Sequence, residues 1–224
     1  MSTSSNVVEK VFWIDPYLTE LRTRIATVEG AVVTLEKTIF YAFSGGQESD
    51  SGTIGPYSVM EARKEGHQIY YKILTDHTLS PGDEVIVKID WARRHRLMRL
   101  HFAAEIVLEL FYKAFPGIEK IGAHIAADKA RIDFKWKENF SSQLAEIQNE
   151  ANKIVVSDSP IVSAFDDTAT ERRYWEIPGF SKVPCGGTHL RRTSEIGAIW
   201  LKRDNIGSGK QRVMVFAEKN EKNR

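Results

Sequence analysis

Residues 93–117 run RRHRLMRLHFAAEIVLELFYKAFPG. From Arg93 to Phe115 the stretch contains neither glycine nor proline, and it closes on Pro116-Gly117. That pattern predicts one helix of about five turns, stopped by the pair. On such a helix Leu97, His101, Glu105 and Leu108 share one stripe, because residues three or four apart are neighbours on a face. Leu100, Ala104, Val107 and Phe111 flank the stripe on one side, and Met98 and Phe102 on the other. A glutamate in such company is costly to bury unless a cation or a hydrogen-bond donor meets it. His101 and Glu105, at i and i+4, can both reach one point, as two ligands of a metal do. The plain alternative is a histidine satisfied by a backbone carbonyl and a glutamate reaching solvent.

Upstream of Trp91 the pattern is that of strands. Ile25 to Leu35 is rich in β-branched residues around Gly30, a hairpin signal. Ile69, Tyr71 and Ile73 alternate, as do Val85, Val87 and Ile89 after the turn Ser80-Pro81-Gly82-Asp83. Between them Ser44 to Gly52 forms a polar, glycine-rich loop. A small β-barrel or curled sheet packages this half, with Phe12 to Tyr17 as its lead-in. Downstream, a second helix is expected from about Ser141 to Ile154, capped by Ser141 or Ser142, with Leu144, Ile147, Ala151 and Ile154 on one face. Short strands are expected at Arg131 to Trp136, Ile196 to Leu201 and Val213 to Phe216. The fold class is therefore α+β. A β-barrel-like domain over residues 1–92 is followed by an α+β domain over 93–224, with the joint packed and a catalytic pocket expected between them.

The chain has 224 residues, 42% hydrophobic and 27% charged, which describes a globular protein and excludes a disordered one. No apolar run approaches the roughly 18 residues of a membrane span. The first ten residues are polar, so no secretory leader is expected. One cysteine, Cys185, excludes an internal disulfide framework and fits a reducing compartment; the expected location is cytoplasmic. Thirty-one basic against thirty acidic residues give no global field for a polyanion. Nucleic-acid binding would need a local patch, and Arg93, Arg94, Arg96 and Arg99 are the leading candidate, ahead of Arg191 with Arg192, Lys202 with Arg203, and Lys210 with Arg212.

The second chemical segment is Pro184-Cys185-Gly186-Gly187-Thr188-His189. Two glycines allow a tight turn in which the Cys sulfur and the His ring converge. Thiolate and imidazole together suit zinc; a buried inert cysteine beside a hydrogen-bonded histidine is the alternative. Taken with the helix, the two segments supply three good ligands and a carboxylate.

Cys185-Gly-Gly-Thr-His189 followed by Arg-Arg-Thr193-Ser-Glu195-Ile196-Gly197 resembles the signature of the alanyl-tRNA synthetase editing domain and its freestanding relatives, the AlaX proteins. Thr38-Ile-Phe-Tyr41 leading to Gly45-Gly46-Gln47, Asp50 and Gly52 resembles the family's glycine-rich motif. Leu97-Met98-Arg99-Leu100-His101 is similar to the entry of its zinc helix. Gly122-Ala123-His124 with Arg131-Ile-Asp133-Phe134 is similar to its next strand block. The resemblance spans Thr38 to Ala217. It implies a second domain of the threonyl/alanyl-tRNA synthetase second additional domain type. It also implies a hydrolase that clears serine, or glycine, wrongly esterified to tRNA(Ala), acting in trans since the chain has no room for a synthetase core. The family's His-x-x-x-His helix and Cys-x-x-x-His loop carry over as His101, Cys185 and His189 around Zn2+. Glu105 stands where the family has its second histidine. It is read as a fourth zinc ligand, with a base for water or a lost metal site as alternatives. Thr38 and Gln47 match positions of the amino-acid pocket, where a hydroxyl and an amide suit a serine hydroxyl. Three other readings compete: a release factor, on the Gly-Gly-Gln tripeptide alone; a threonyl-type editing domain; and a non-catalytic tRNA-binding protein with a degenerate site.

Overall fold

The computed structural model describes residues 7–207 and 209–218; the first six residues of the polar opening stretch lie outside it. Its contacts divide the chain into two units, Met1–Ser44 with Glu48–Arg94, and Gly45–Gln47 with His95–Arg224. The fold class is α+β, mostly strands with two α-helices.

The first unit holds β1 (Glu9–Lys10), β2 (Glu20–Glu29), β3 (Val32–Leu35), β4 (Lys37–Thr38), β5 (Gly52–Ile54), β6 (Tyr57–Ser58), β7 (Glu61–Glu65), β8 (Gln68–Lys72) and β9 (Glu84–Ile89). Seven of them form one sheet in the order β6-β5-β9-β2-β3-β8-β7, and β1 pairs with β4 in parallel. The long strand β2 does the bending. Its first half pairs with β9 and its second half with β3, with a register shift between Ile25 and Thr27. Such a bulge bends a strand and increases its twist, so the sheet curls around a core of Ile25, Val33, Leu35, Ile54, Tyr71 and Val87, each no more than 1% exposed. The barrel-like expectation thus resolves as a curled sheet whose edges are β6 and β7.

Helix α1 (Trp91–Ala114) begins in this unit. Asp90 Oδ1 accepts the Arg93 N–H at 3.0 Å, an N-cap bond that lets the helix start at Trp91. At 24 residues α1 makes about seven turns; the expected stretch Arg93 to Phe115 already holds more than the five turns given for it, and the helix starts two residues earlier and ends before Pro116. In its first turn Arg94, with no exposed surface, donates from Nε to Asp50 Oδ1 (2.8 Å), from Nη1 to Pro16 O (3.0 Å), and from Nη2 to Ile39 O (2.6 Å) and Asp50 Oδ2. Asp50 Oδ2 also accepts the Tyr41 N–H at 2.7 Å. A buried ion pair of this kind is tolerable because every polar atom is met.

The second unit contains the rest of α1, then β10 (Glu119–Ile125), β11 (Ala130–Lys135), α2 (Leu144–Val156), β12 (Val162–Asp167), β13 (Arg172–Ile177), β14 (Ser181–Pro184), β15 (Ile199–Asn205) and β16 (Lys210–Ala217). One antiparallel sheet has the order β10-β11-β16-β15; a second has the order β12-β13-β14. Leu97, Met98, Phe102, Ala103, Ile106, Val107 and Phe111 of α1 are wholly buried, as expected for a helix apolar on most of its circumference. Helix α2 guards the edge strand β15. Asn152 donates to Ile199 O (2.7 Å) and accepts from Ile199 N (2.8 Å), and Gln148 Oε1 accepts from Leu201 N (2.8 Å). The helix starts at Leu144 rather than Ser141, and the cap residue Gln143 makes no side-chain cap bond. Neither serine caps it: Ser141 N is held by Asn139 Oδ1, and Ser142 Oγ lies on Gln143 Oε1. The buried face is Ile147, Ala151 and Val155, with Leu144 and Ile154 only half-buried. Among the described residues no helix is long and apolar enough to cross a membrane.

Replacing Asp50 by Ala would leave the Arg94 charge buried and unpaired. The expected loss is about 3–5 kcal/mol of stability in urea unfolding. The double variant Asp50→Ala/Arg94→Met should recover most of it, since no uncompensated charge then remains.

Candidate metal centre

Five segments of the second unit meet here: the Gly45–Gln47 loop, α1, β12, β13 and the loop after β14. Cys185 N donates to Arg173 O at 2.9 Å, which ties the start of that loop to β13. Gly187 lies so close to the helix that a Cβ there would stand 2.3 Å from His101 Cε1. Only glycine permits this approach, and it brings Cys185 and His189 alongside His101.

Three donor atoms, one each from His101, Cys185 and His189, lie within 4.8 Å of one another. His101 Nε2 and His189 Nε2 each stand 3.3 Å from Cys185 Sγ. Glu105 Oε1 adjoins them, 3.5 Å from His101 Nε2 and 3.9 Å from Cys185 Sγ. With Zn–N and Zn–O near 2.0–2.1 Å and Zn–S near 2.3 Å, the edges of a tetrahedral site are about 3.3–3.6 Å. Donor type and spacing therefore fit zinc, with Glu105 in reach of the fourth position.

Each donor is oriented from behind. His101 Nδ1 lies 2.7 Å from Gln47 Oε1. The same oxygen accepts the Thr188 N–H at 3.4 Å, while Gln47 Nε2 donates to Thr188 Oγ1 at 2.9 Å. Gln47 Oε1 is thus an acceptor, so the network assigns the hydrogen to His101 Nδ1 and turns Nε2 toward the sulfur. His189 Nδ1 rests on Ser163 Oγ at 2.8 Å. Trp175 Nε1 donates to Glu105 Oε2 at 3.1 Å, the donor that makes a buried glutamate acceptable.

Charge follows the same geometry. Burial works against a charged His101, but its interactions with Cys185 and then Glu105 outweigh it and raise its pKa to about 10. Burial, followed by the charges of His101 and Arg173, holds His189 well below the ordinary imidazole range, so it is neutral. Burial alone would raise Glu105; hydrogen bonds from His101 and Trp175 reverse that and keep it below the usual carboxylate range.

The remaining expected site residues are dispersed. Gln47 is wholly buried, with both ends of its amide engaged as described. Thr38 belongs to the first unit, buried, its hydroxyl 2.7 Å from Tyr71 Oη and accepting from Phe40 N at 3.0 Å. Of the four arginines, Arg93 pairs with Glu48 (2.7 Å), and Arg94 has every nitrogen engaged internally, which makes it a structural cation instead of a phosphate contact. Arg96 is half-buried and Arg99 buried. Sequence reading missed Ser163, Arg173 and Trp175. The alternation of Arg173, Trp175 and Ile177 in β13 was the available signal; for Ser163 there was none.

The family model described as threonyl and alanyl tRNA synthetase second additional domain matches residues 173–214, and that of the class II (A) tRNA synthetases matches residues 5–93. An alanyl-tRNA editing protein AlaX-M from Pyrococcus horikoshii is 32% identical over 95% of this chain and 99% of its own length. Another from Saccharolobus solfataricus is 34% identical over 92% of this chain and 98% of its own. An alanine–tRNA ligase from Methanococcus aeolicus is 31% identical over 92% of this chain, which corresponds to 25% of the ligase.

Zinc must displace the His101 proton, so apparent affinity should rise about tenfold per pH unit below about pH 10, with proton release visible by calorimetry in buffers of different ionisation enthalpy. In the metal-free protein the raised His101 pKa contributes stability that is complete below about pH 6.5 and is lost as pH rises through about 10. Removing the orienting amide in Gln47→Ala should weaken zinc binding by about 10–100-fold in a chelator competition.

Proposed function

The chain belongs to the AlaX-M family of alanyl-tRNA editing proteins, and from that premise we propose that it hydrolyses the ester of serine wrongly attached to tRNA(Ala), with glycine as the second candidate amino acid. The observation that carries the reading is the convergence of His101, Cys185 and His189 on one point with Glu105 beside them. The two AlaX-M relatives are covered almost end to end by this chain, which supports action in trans on released aminoacyl-tRNA. A cytoplasmic setting suits both that substrate and a protein whose one cysteine is a metal-ligand candidate.

In this reading His101, Cys185 and His189 hold Zn2+ and Glu105 is the fourth donor. Zinc, when bound, supplies a Lewis acid for the ester carbonyl. Water adds to the carbonyl carbon and the bond to the ribose oxygen breaks, giving free serine and uncharged tRNA. Gln47 and Ser163 keep the two imidazoles in the ligating tautomer, and Trp175 keeps Glu105 Oε1 turned to the site. Gln47, carried over for the amino-acid pocket, serves the metal site here, because its amide has no free end toward a substrate. Thr38 keeps the role that the family resemblance implies for it, a partner of the serine hydroxyl; in the first unit its Oγ1 is buried against Tyr71 and Phe40. A pocket built for that hydroxyl accepts serine and spares alanine, whose methyl would leave the polar group unpaired.

Purified protein given labelled Ser-tRNA(Ala) and Ala-tRNA(Ala) should release serine and spare alanine. Cys185→Ala or His189→Ala should lower kcat/KM on the order of 10³-fold or more, and equal loss of both esters or of neither would reject the reading. Glu105→Gln separates its two roles: weakened zinc affinity marks a ligand, and unchanged affinity with a lower rate marks a base. Thr38→Val should reduce serine removal roughly tenfold, the worth of one buried hydrogen bond.

A further inference from the structure

We infer that Arg99 and Arg96 form a separate anion site that takes one backbone phosphate of a nucleic acid. Arg94 and Arg99 lie five positions apart on α1 and solve burial differently. Arg94 is neutralised by Asp50. Arg99 is 6% exposed, and its Nε donates to Ile196 O at 2.8 Å. Its Nη2 is buried with no hydrogen-bond partner, and no carboxylate pairs with it among the described residues. Burial accordingly pushes Arg99 down from the usual guanidinium range. Its charge is felt next door, where burial and then Arg99 lower the His95 imidazole. A buried cation without a counter-ion is costly, and an incoming anion relieves that cost.

Beside it is a cavity of about 190 Å³ lined by Arg96, Arg99, Leu100, Ala127, Asp128 and Ala217. The volume is below the roughly 300 Å³ at which pockets for drug-sized ligands begin, so it suits one compact anion. Arg96 makes no hydrogen bond or ion pair with any described residue, which leaves a second guanidinium available. The acid on the wall, Asp128, is 69% exposed and turned to Lys129 Nζ at 3.4 Å. The other walls are small and aliphatic, with no aromatic surface for a base to stack on and no amide to read its edge. Guanidinium forks match phosphate oxygens. That the phosphate belongs to a nucleic acid rests on the editing function proposed above; the anion site itself does not.

The test is binding of uncharged tRNA(Ala) to the full chain across a salt series, by fluorescence anisotropy. Arg96→Gln and Arg99→Gln should each weaken binding about tenfold and lower the slope of log K against log salt by about 0.7–0.9. Because Arg99 also holds Ile196 O, its variants are first checked for native thermal unfolding; Arg96→Gln breaks no internal bond and tests the site if they do not fold. Unchanged affinity and slope in the folded variants would overturn the proposal. Inorganic phosphate titrated alone, at fixed ionic strength, is the second arm. If it binds wild type and not the variants while tRNA affinity and slope stay at wild-type values, the site serves a free phosphate compound and the nucleic-acid assignment is overturned. Failure of wild type to deacylate Ser-tRNA(Ala) would sink the editing reading and leave this measurement standing.

Discussion

Gln47 clips two distant stretches of chain together: its carbonyl meets His101 Nδ1 and Thr188 N, and its amide nitrogen meets Thr188 Oγ1, all without solvent. The helix that carries His101 and the loop that carries Cys185 and His189 therefore share one anchor. Hydrogen bonds to a charged group contribute about 1.5–3 kcal/mol each, and leaving such a buried group unmet costs comparably. The anchor is itself held: Ile125 N donates to Gly46 O at 2.8 Å, and a Cβ at Gly46 would stand 2.7 Å from Ala123 O. Two of the glycines that approach other chain closely, Gly46 and Gly187, thus serve the same few ångströms of geometry.

Helix α1 shows three ways to keep a cation in a protein interior. Arg94 has a single carboxylate and two carbonyls around it. His101 is charged only because Cys185 and Glu105 surround it, and it is the one that can exchange its proton for a metal. Arg99 has a carbonyl and, among the described residues, no carboxylate paired with it. The first is structural, the second suits chemistry, and the third is the one proposed above to take an anion. A run of basic residues that looks uniform in the sequence is divided by its neighbours into distinct functions.

Much of this was legible in the linear sequence wherever a physical rule is local. Periodicity without Gly or Pro marked α1, and the pair Pro116-Gly117 marked its end. Alternation marked β8, β9 and β11, and Gly30 marked the β2–β3 hairpin. The i, i+4 spacing of His101 and Glu105, and the paired glycines between Cys185 and His189, singled out the residues whose donor atoms the fold gathers. Strands β12 and β14 were not legible, because neither buries a side chain fully and so neither needs an apolar alternation. The α2 cap was misplaced because residues 141–143 form a turn and the helix begins only at Leu144.

What the sequence by itself determined is the set of candidate donors and the elements that carry them, since helical spacing and glycine turns act over a few residues. What only the tertiary structure decided is how each group is used. Whether an arginine is neutralised, whether Gln47 reaches a substrate or a ligand, and which donor meets Glu105 depend on residues 44 to 141 positions away along the chain. The physical reason is that hydrogen bonds and buried charges are settled by whichever partner the packed fold brings within about 3 Å, and no sequence pattern records that distance.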